Sequence, residues 1–297
     1  MLKSQERGTV KVLRRVPMNN PTVFILTHGR PNSQLTLKML RGYNYSGKIY
    51  LLLDDTDKTI QQYIDNYGAE NIIIFNKNYY INSVETVTNE PKYACILYAK
   101  AAVEDIAQSM GLKSFIIADD DLTNIRVRYP SSGKLASKKI GDKFNEVMAQ
   151  LNELMLKGNI SAISPLYTSF FISGVSAFSP KHIDGARFTY IFVLRNGAHK
   201  VNWLADYGED NITSFEENKR GYLQLGMPYL QEDSVSPTVR LEGGMSETYS
   251  TDTFKLCMRC VVVEPAYFSA QWYNGKYVPR IKRNNSLPKI ISGRYKK

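Results

Sequence analysis

The sequence predicts an α/β protein: a mostly parallel sheet flanked by helices, followed by a mixed α+β half. Three observations predict it. Short apolar runs alternate with amphipathic stretches through residues 22–119, a long helical pattern stopped by Gly111 feeds straight into another apolar run, and the regularity fades beyond residue 160. "TVFILTHGR" (22–30) is the opening strand, and "PNSQLTLKML" after it begins with a proline and cap-type residues before taking helical spacing. "KIYLLLDD" (48–55) is a second strand, "KTIQQYIDNYG" (58–68) a helix ending on glycine, and "NIIIFNK" (71–77) a third strand. "YACILYAKAAVEDIAQSMG" (93–111) is the long helix and "SFIIADDD" (114–121) the strand it feeds. In the second half, 141–158 is an amphipathic helix, strands are expected at 161–166 and 169–180, hairpin material runs to about Trp203, and 208–222 takes helical spacing again. The Ser-, Gly- and Lys-rich stretch 129–143 is expected to be a mobile linker.

Composition narrows the function. At 297 residues and 43% hydrophobic, the chain suits one main domain with additions. Cys95, Cys257 and Cys260 offer no disulfide framework, and the CxxC of the last two has no second cysteine pair or later histidine to complete a zinc site. Buried structural cysteines and a reducing, cytoplasmic location are expected. No apolar run approaches a bilayer span and the first residues lack a secretory apolar segment, so no membrane partner is expected. The net charge of +10 belongs to the two ends. Residues 1–16 contribute +4 and residues 265–297 contribute +8 with no acid, leaving −2 for the rest. Tyr273, Tyr277 and Tyr295 are interleaved with the second set. Such a pattern fits a polyanion, usually nucleic acid, and fits solvated termini equally well.

The chemistry centres on Asp119, Asp120 and Asp121. In an open α/β sheet, ligands bind outside the carboxyl ends of strands, where these three fall. With strand geometry kept to the end, Asp119 and Asp121 project to one side and suit a hard cation such as Mn2+ or Mg2+; the alternative is a polar turn capped by aspartates. A cation there would bridge a nucleotide-sugar diphosphate and neutralise the charge of its departure.

The order of motifs resembles the GT-A glycosyltransferases: "THGRP" after the first strand, Asp54 and Asp55 ending the second, "FIIADDD" in the DxD position, "ISGVSAFSP" (172–180) like the acceptor-side strand and "YGEDNITSF" (207–215) like the xED helix start. The overlap covers roughly residues 21–225. More narrowly, the chain resembles the TET-associated glycosyltransferases, a phage group proposed to glycosylate hydroxymethylated pyrimidines in DNA. The resemblance implies a GT-A-like, Rossmann-type core over 21–265, with a nucleotide-sugar half (21–128) and an acceptor half (141–265), between a basic arm (1–20) and a basic tail (266–297). It implies a UDP-linked donor carrying glucose, arabinose or a similar sugar, a DNA acceptor gripped by the basic ends, and a host-cytoplasmic location for a phage protein. Thr27, Arg30, Asp54, Asp55, Lys100 and Asp120 would surround the donor, with Asp119 and Asp121 on the metal. Asp210 would take the acceptor proton beside Glu209, since a hydroxyl needs a carboxylate within hydrogen-bond reach; acids at a helix N-terminus are also simply favourable there. Tyr167 or Phe170 would stack on a flipped base. His28, His182 and His199 are expected to be structural. The late histidine metal ligand of many GT-A enzymes is missing, leaving Glu232, Asp233, the diphosphate or water to replace it. A glycan, lipid or protein acceptor, a nucleotidyltransferase, and a non-catalytic nucleic-acid-binding module are the competing possibilities.

Overall fold

The computed structural model describes residues 20–86, 96–168, 170, 171, 174, 191–205, 208–235, 253–273 and 275–281. Its first half is the expected alternation with one unforeseen helix, α3: β1 (Thr22–Leu26), α1 (Leu35–Gly42), β2 (Ile49–Asp54), α2 (Ile60–Tyr67), β3 (Ile72–Phe75), α3 (Lys77–Ser83), α4 (Ile96–Ser109) and β4 (Ser114–Asp119). The pleat of β1 sends Val23 and Ile25 into one core and Phe24 and Leu26 into another. The first core is closed by Leu37, Leu40 and Tyr63 of α1 and α2, the second by Leu97, Tyr98 and Val103 of α4. Helices therefore cover both faces, which is why these strands are apolar throughout rather than alternating.

The second half adds β5 (Leu122–Ser131), β6 (Lys134–Lys139), α5 (Phe144–Lys157), β7 (Ala162–Tyr167), β8 (Phe192–Asn196), α6 (Glu209–Lys219), β9 (Gln224–Ser234), α7 (Thr253–Val263), β10 (Phe268–Tyr273) and β11 (Lys276–Ile281). Nine strands form one sheet in the order β3-β2-β1-β4-β8-β7-β9-β5-β6. Their pairing senses make seven strands point one way, with β5 and β8 reversed. The carboxyl ends of β1, β2, β3, β4, β7 and β9 consequently share one edge of the sheet. This is the mostly parallel α/β architecture, with a mixed second half, that the sequence predicts.

Two expectations need correction. The stretch 129–143 is no linker: β5 and β6 pair through six residues from Arg126↔Lys139 to Ser131↔Lys134. Its lysines mark an exposed edge strand, whose charges discourage further pairing. The basic segment from residue 266 includes a second two-stranded sheet, β10–β11, and so is folded in part. Most of the expected 169–180 strand and the "LEGGMSETY" segment (241–249) lie outside the described residues, as do residues 1–19 and 282–297. Cys257 and Cys260 are free and buried on α7, and burial pushes the Cys260 thiol up to about 12, an inert structural role. Among the described residues no helix is long and apolar enough to cross a membrane.

Candidate active site

The three aspartates sit at the common edge. The expected basis for their placement changes, because β4 ends at Asp119 and a turn carries Asp120 and Asp121 into β5. The first residues of α1 hold that turn: Thr36 N donates to Asp120 O (3.1 Å), Thr36 Oγ1 donates to Asp119 O (2.5 Å), and Leu122 N donates to Thr36 Oγ1 (2.9 Å). On the other side Val235 N donates to Asp121 O, which brings the end of β9 alongside.

Asp120 points back to β1 rather than into open space. Its Oδ1 accepts from Arg30 Nη1 (2.9 Å) and its Oδ2 from Thr27 Oγ1 (2.7 Å). Thr27 Oγ1 in turn accepts from Gln34 Nε2 and lies 2.9 Å from the Tyr63 hydroxyl, which accepts from Arg30 N. Asp120 and Thr27 are therefore struts that aim Arg30. Each carboxylate oxygen accepts one of these bonds and keeps a lone pair for a further contact.

Asp119 turns the other way, toward Lys100 on α4. The ammonium of Lys100 is almost wholly buried, lies over the Trp203 ring at 5.1 Å, and donates to Glu209 Oε1 (3.0 Å) and Asp210 Oδ1 (2.5 Å). Lys100 thus meets two sequence-nominated acids more than a hundred residues further along the chain, and holds them rather than standing open to phosphate. Burial raises the Asp119 carboxyl well above the usual range; Lys100 opposes this, and Asp121, Asp210 and Asp120 reinforce it. Burial raises Glu209 as well, again opposed by Lys100. Glu209 is buried, whereas the Asp210 side chain is 29% exposed and is the one an acceptor can reach.

Gly208 makes this helix start possible. It sits at φ +69°, and a Cβ there would collide with Cys260 Sγ on α7, so both backbone and space demand glycine. Behind it Ile212 and Phe215 of α6, Cys260 of α7 and Phe268 of β10 form a separate small core. The position of the two acids is in this way set by the C-terminal helix.

The neighbouring strand ends form a second polar group. Asp54 accepts from His28 Nδ1 (2.8 Å), Thr56 and Lys77 Nζ (3.3 Å). Burial pushes its carboxyl up, but His28, Thr56 and Lys77 together hold it well below the usual range. Asp55 is exposed and accepts from Lys77 N. Asp57 accepts from Gly29 N and from Thr59. Sequence reasoning read His28 as structural and passed over Asp57, Tyr63 and Lys77; only the folded register groups them around the β1 and β2 strand ends. His199 is structural as expected, bonded to Asn159 and packed on Tyr222. Tyr167 is exposed at the end of β7 on the same edge, while Phe170 is buried with Leu166 and Phe171 and unavailable for stacking.

The donor set was tested for a divalent cation. Asp119, Glu209 and Asp210 face one ammonium, a surplus of two negative charges when all are ionised, and Asp119 Oδ1 is buried with no hydrogen-bond partner. Hard oxygens with surplus charge fit Mg2+ or Mn2+. No group of three or more His, Cys, Asp or Glu among the described residues is arranged to hold a metal. Asp233, one of the residues considered for the late histidine's place, is paired to Arg126 Nε at 2.5 Å. A concavity lined by Leu37, Arg41, Lys48 and Tyr67 lies at the opposite, amino edge of β2 and shares no residue with this site.

A family model for TET-associated glycosyltransferases matches residues 21–226, from the first residues of the sheet to the middle of the acceptor half. The chain belongs to the TET-associated glycosyltransferase family. It is a glycosyltransferase by that membership. Among solved structures it is similar to glucosyl-3-phosphoglycerate synthase from Mycobacterium tuberculosis in complex with Mg2+ and UDP (11% identity, TM-score 0.44, 89% of this chain and 87% of that one). It is similar also to the same enzyme with Mn2+, UDP and phosphoglyceric acid (9% identity, TM-score 0.42, 89% and 86%). No curated protein sequence matches it.

Proposed function

We propose that the protein moves a sugar from a UDP-linked donor onto the hydroxymethyl oxygen of a modified pyrimidine in DNA, with Asp210 as the base. The observation that carries the chemistry is the meeting of Lys100, Glu209 and Asp210 beside Asp119 at the carboxyl edge of the sheet. Arg30, fixed by Asp120, and the Asp54–His28 pair border the donor's expected position. The hydroxymethyl oxygen attacks the anomeric carbon as its proton passes to an Asp210 carboxylate oxygen, and the bond from that carbon to the diphosphate breaks with its electron pair leaving on UDP. Such an in-line displacement inverts the anomeric centre. Lys100 orients Asp210 and offsets the charge of Glu209, so both acids can stay in a largely buried site. Asp119 and Asp121 would hold Mg2+ or Mn2+, which would supply charge neutralisation for the departing diphosphate. The DNA acceptor is supported by family membership and by the basic C-terminal segment with its tyrosines.

The test is mass spectrometry of hydroxymethylated DNA after incubation with the protein and a panel of nucleotide-sugars. A mass gain of one sugar residue is expected with Mn2+ or Mg2+ and none in chelator. Undiminished transfer in chelator would refute the metal assignment. Transfer to a glycan with none to DNA would refute the acceptor.

A further inference from the structure

The hairpin β10–β11 lies beyond residue 226, outside the segment that the family model matches. Its register pairs Tyr273 with Lys276, Gln271 with Val278 and Ser269 with Arg280 on one face, and Trp272 with Tyr277 and Phe268 with Ile281 on the other. The second face is the anchored one at its base: Phe268 is buried against Phe215 of α6, and Tyr277 packs on Phe254 of α7 and on Trp272. Toward the turn the anchoring stops. Trp272 is 60% and Tyr273 59% exposed, among the largest exposures of any aromatic described, and Lys276 and Arg280 are exposed beside them. Two large rings left in water on a hairpin tip gain nothing for the fold, and a hydrophobic partner protein would not call for the flanking cations.

We propose that the Tyr273 face of this hairpin is a docking surface for unpaired DNA, with a base stacking on Tyr273 while Lys276 and Arg280, on the same face, take the adjoining phosphates. Charge complementarity favours this occupant: residues 265–297 hold eight Lys or Arg and no acid. Aromatic faces interleaved with cations are the means by which single strands are held without sequence preference. The hairpin's base packs through Phe268 on Phe215 of α6, the helix that starts with Glu209 and Asp210, which ties the hairpin to the element that carries those acids. The inference rests on DNA being the acceptor and adds which surface presents it, and in what form.

The experiment uses the full chain and labelled oligodeoxynucleotides containing hydroxymethylpyrimidine, single-stranded and duplex, read by fluorescence anisotropy across a salt series. Tyr273→Ala should weaken single-strand binding about fivefold or more and leave the salt slope unchanged, while Trp272→Ala, on the opposite face, should leave binding unaltered. Lys276→Gln/Arg280→Gln should reduce that slope by about 1.4, at roughly 0.7 per phosphate. Transfer to a free hydroxymethyl-nucleoside should be unaltered in all three variants, which confirms that the fold and chemistry are intact. Wild-type single-strand affinity in Tyr273→Ala, or equal losses on duplex and single strand, would overturn the hairpin assignment alone. A wild-type protein that turns over donor yet binds neither form of DNA would overturn the acceptor reading and this inference with it.

Discussion

Helix α4 carries Lys100 and, one turn on, Glu104; helix α6 carries Glu209 and Asp210 in its first turn and Glu217 two turns later. The same two helices therefore contribute to two buried charge clusters. In the inner one, Arg195 of β8 is fully buried and donates from Nε to Glu104 (3.2 Å), from Nη1 to Ser161 O (3.1 Å) and from Nη2 to His199 O (3.1 Å). Glu217 sits in the field of Arg195, 3.7 Å from Arg220. In the outer cluster Lys100 meets Glu209 and Asp210, but Asp210 reaches solvent and Asp119 Oδ1 has no hydrogen-bond partner. Burial and mixed charge alone do not mark a catalytic site. A cation locked to backbone carbonyls bolts a sheet to its helices, whereas one facing surplus carboxylate beside open space leaves work for a ligand to complete.

That contrast can be broken by substitution. Arg195→Met removes a buried cation and strands Glu104, so urea denaturation should show a loss of about 3–5 kcal/mol, with donor affinity of the folded fraction unchanged. Asp119→Asn should do the reverse. Removing one surplus buried charge is expected to stabilise the ligand-free protein by about 1 kcal/mol while weakening Mn2+-dependent UDP binding by about tenfold or more. A destabilised Asp119→Asn with intact UDP binding would make the outer cluster structural too.

The smallest effect sharpens the neighbouring donor edge. The His28 pKa is raised, chiefly by its hydrogen bond to Asp54, so its stabilising contribution is complete below its ordinary value of about 6.5 and is lost as pH rises through the folded value. Asp54 is lowered, so its contribution is present above about 3.9 and is lost as pH falls. The Tm difference between wild type and His28→Gln should accordingly be greatest near about pH 5–6 and fade toward about pH 8.5. A difference that grows with pH would contradict the pairing.

The first 119 residues were largely legible because each element there is local: apolar runs, glycine stops and cap residues specify them one by one. The Asp119–Asp121 edge was legible for the same reason, and so was α6 with its acidic start. The β5–β6 hairpin was hidden because β6 is mostly solvent-exposed and carries lysines where a core strand carries apolar residues. Strand β9 was hidden by Gly226 and Pro228 within it; the glycine admits Leu166 at a distance no Cβ would allow. The Lys100 clamp could not be read at all, since a contact between residues 100 and 209 exists only once the sheet order is set. Asp120 carries a role its motif position did not suggest: it accepts from Thr27 and Arg30 and so positions Arg30.

The central claim is that the outer cluster performs the transfer through Asp210, and single-turnover transfer by Asp210→Asn and Glu209→Gln tests it most directly. Asp210→Asn keeps the size of the side chain and its contact with Lys100 but cannot accept a proton, so the rate should fall by roughly a hundredfold or more with donor affinity little changed, and Glu209→Gln should lose less. A normal rate in Asp210→Asn, above all alongside a crippled Glu209→Gln, would contradict the account.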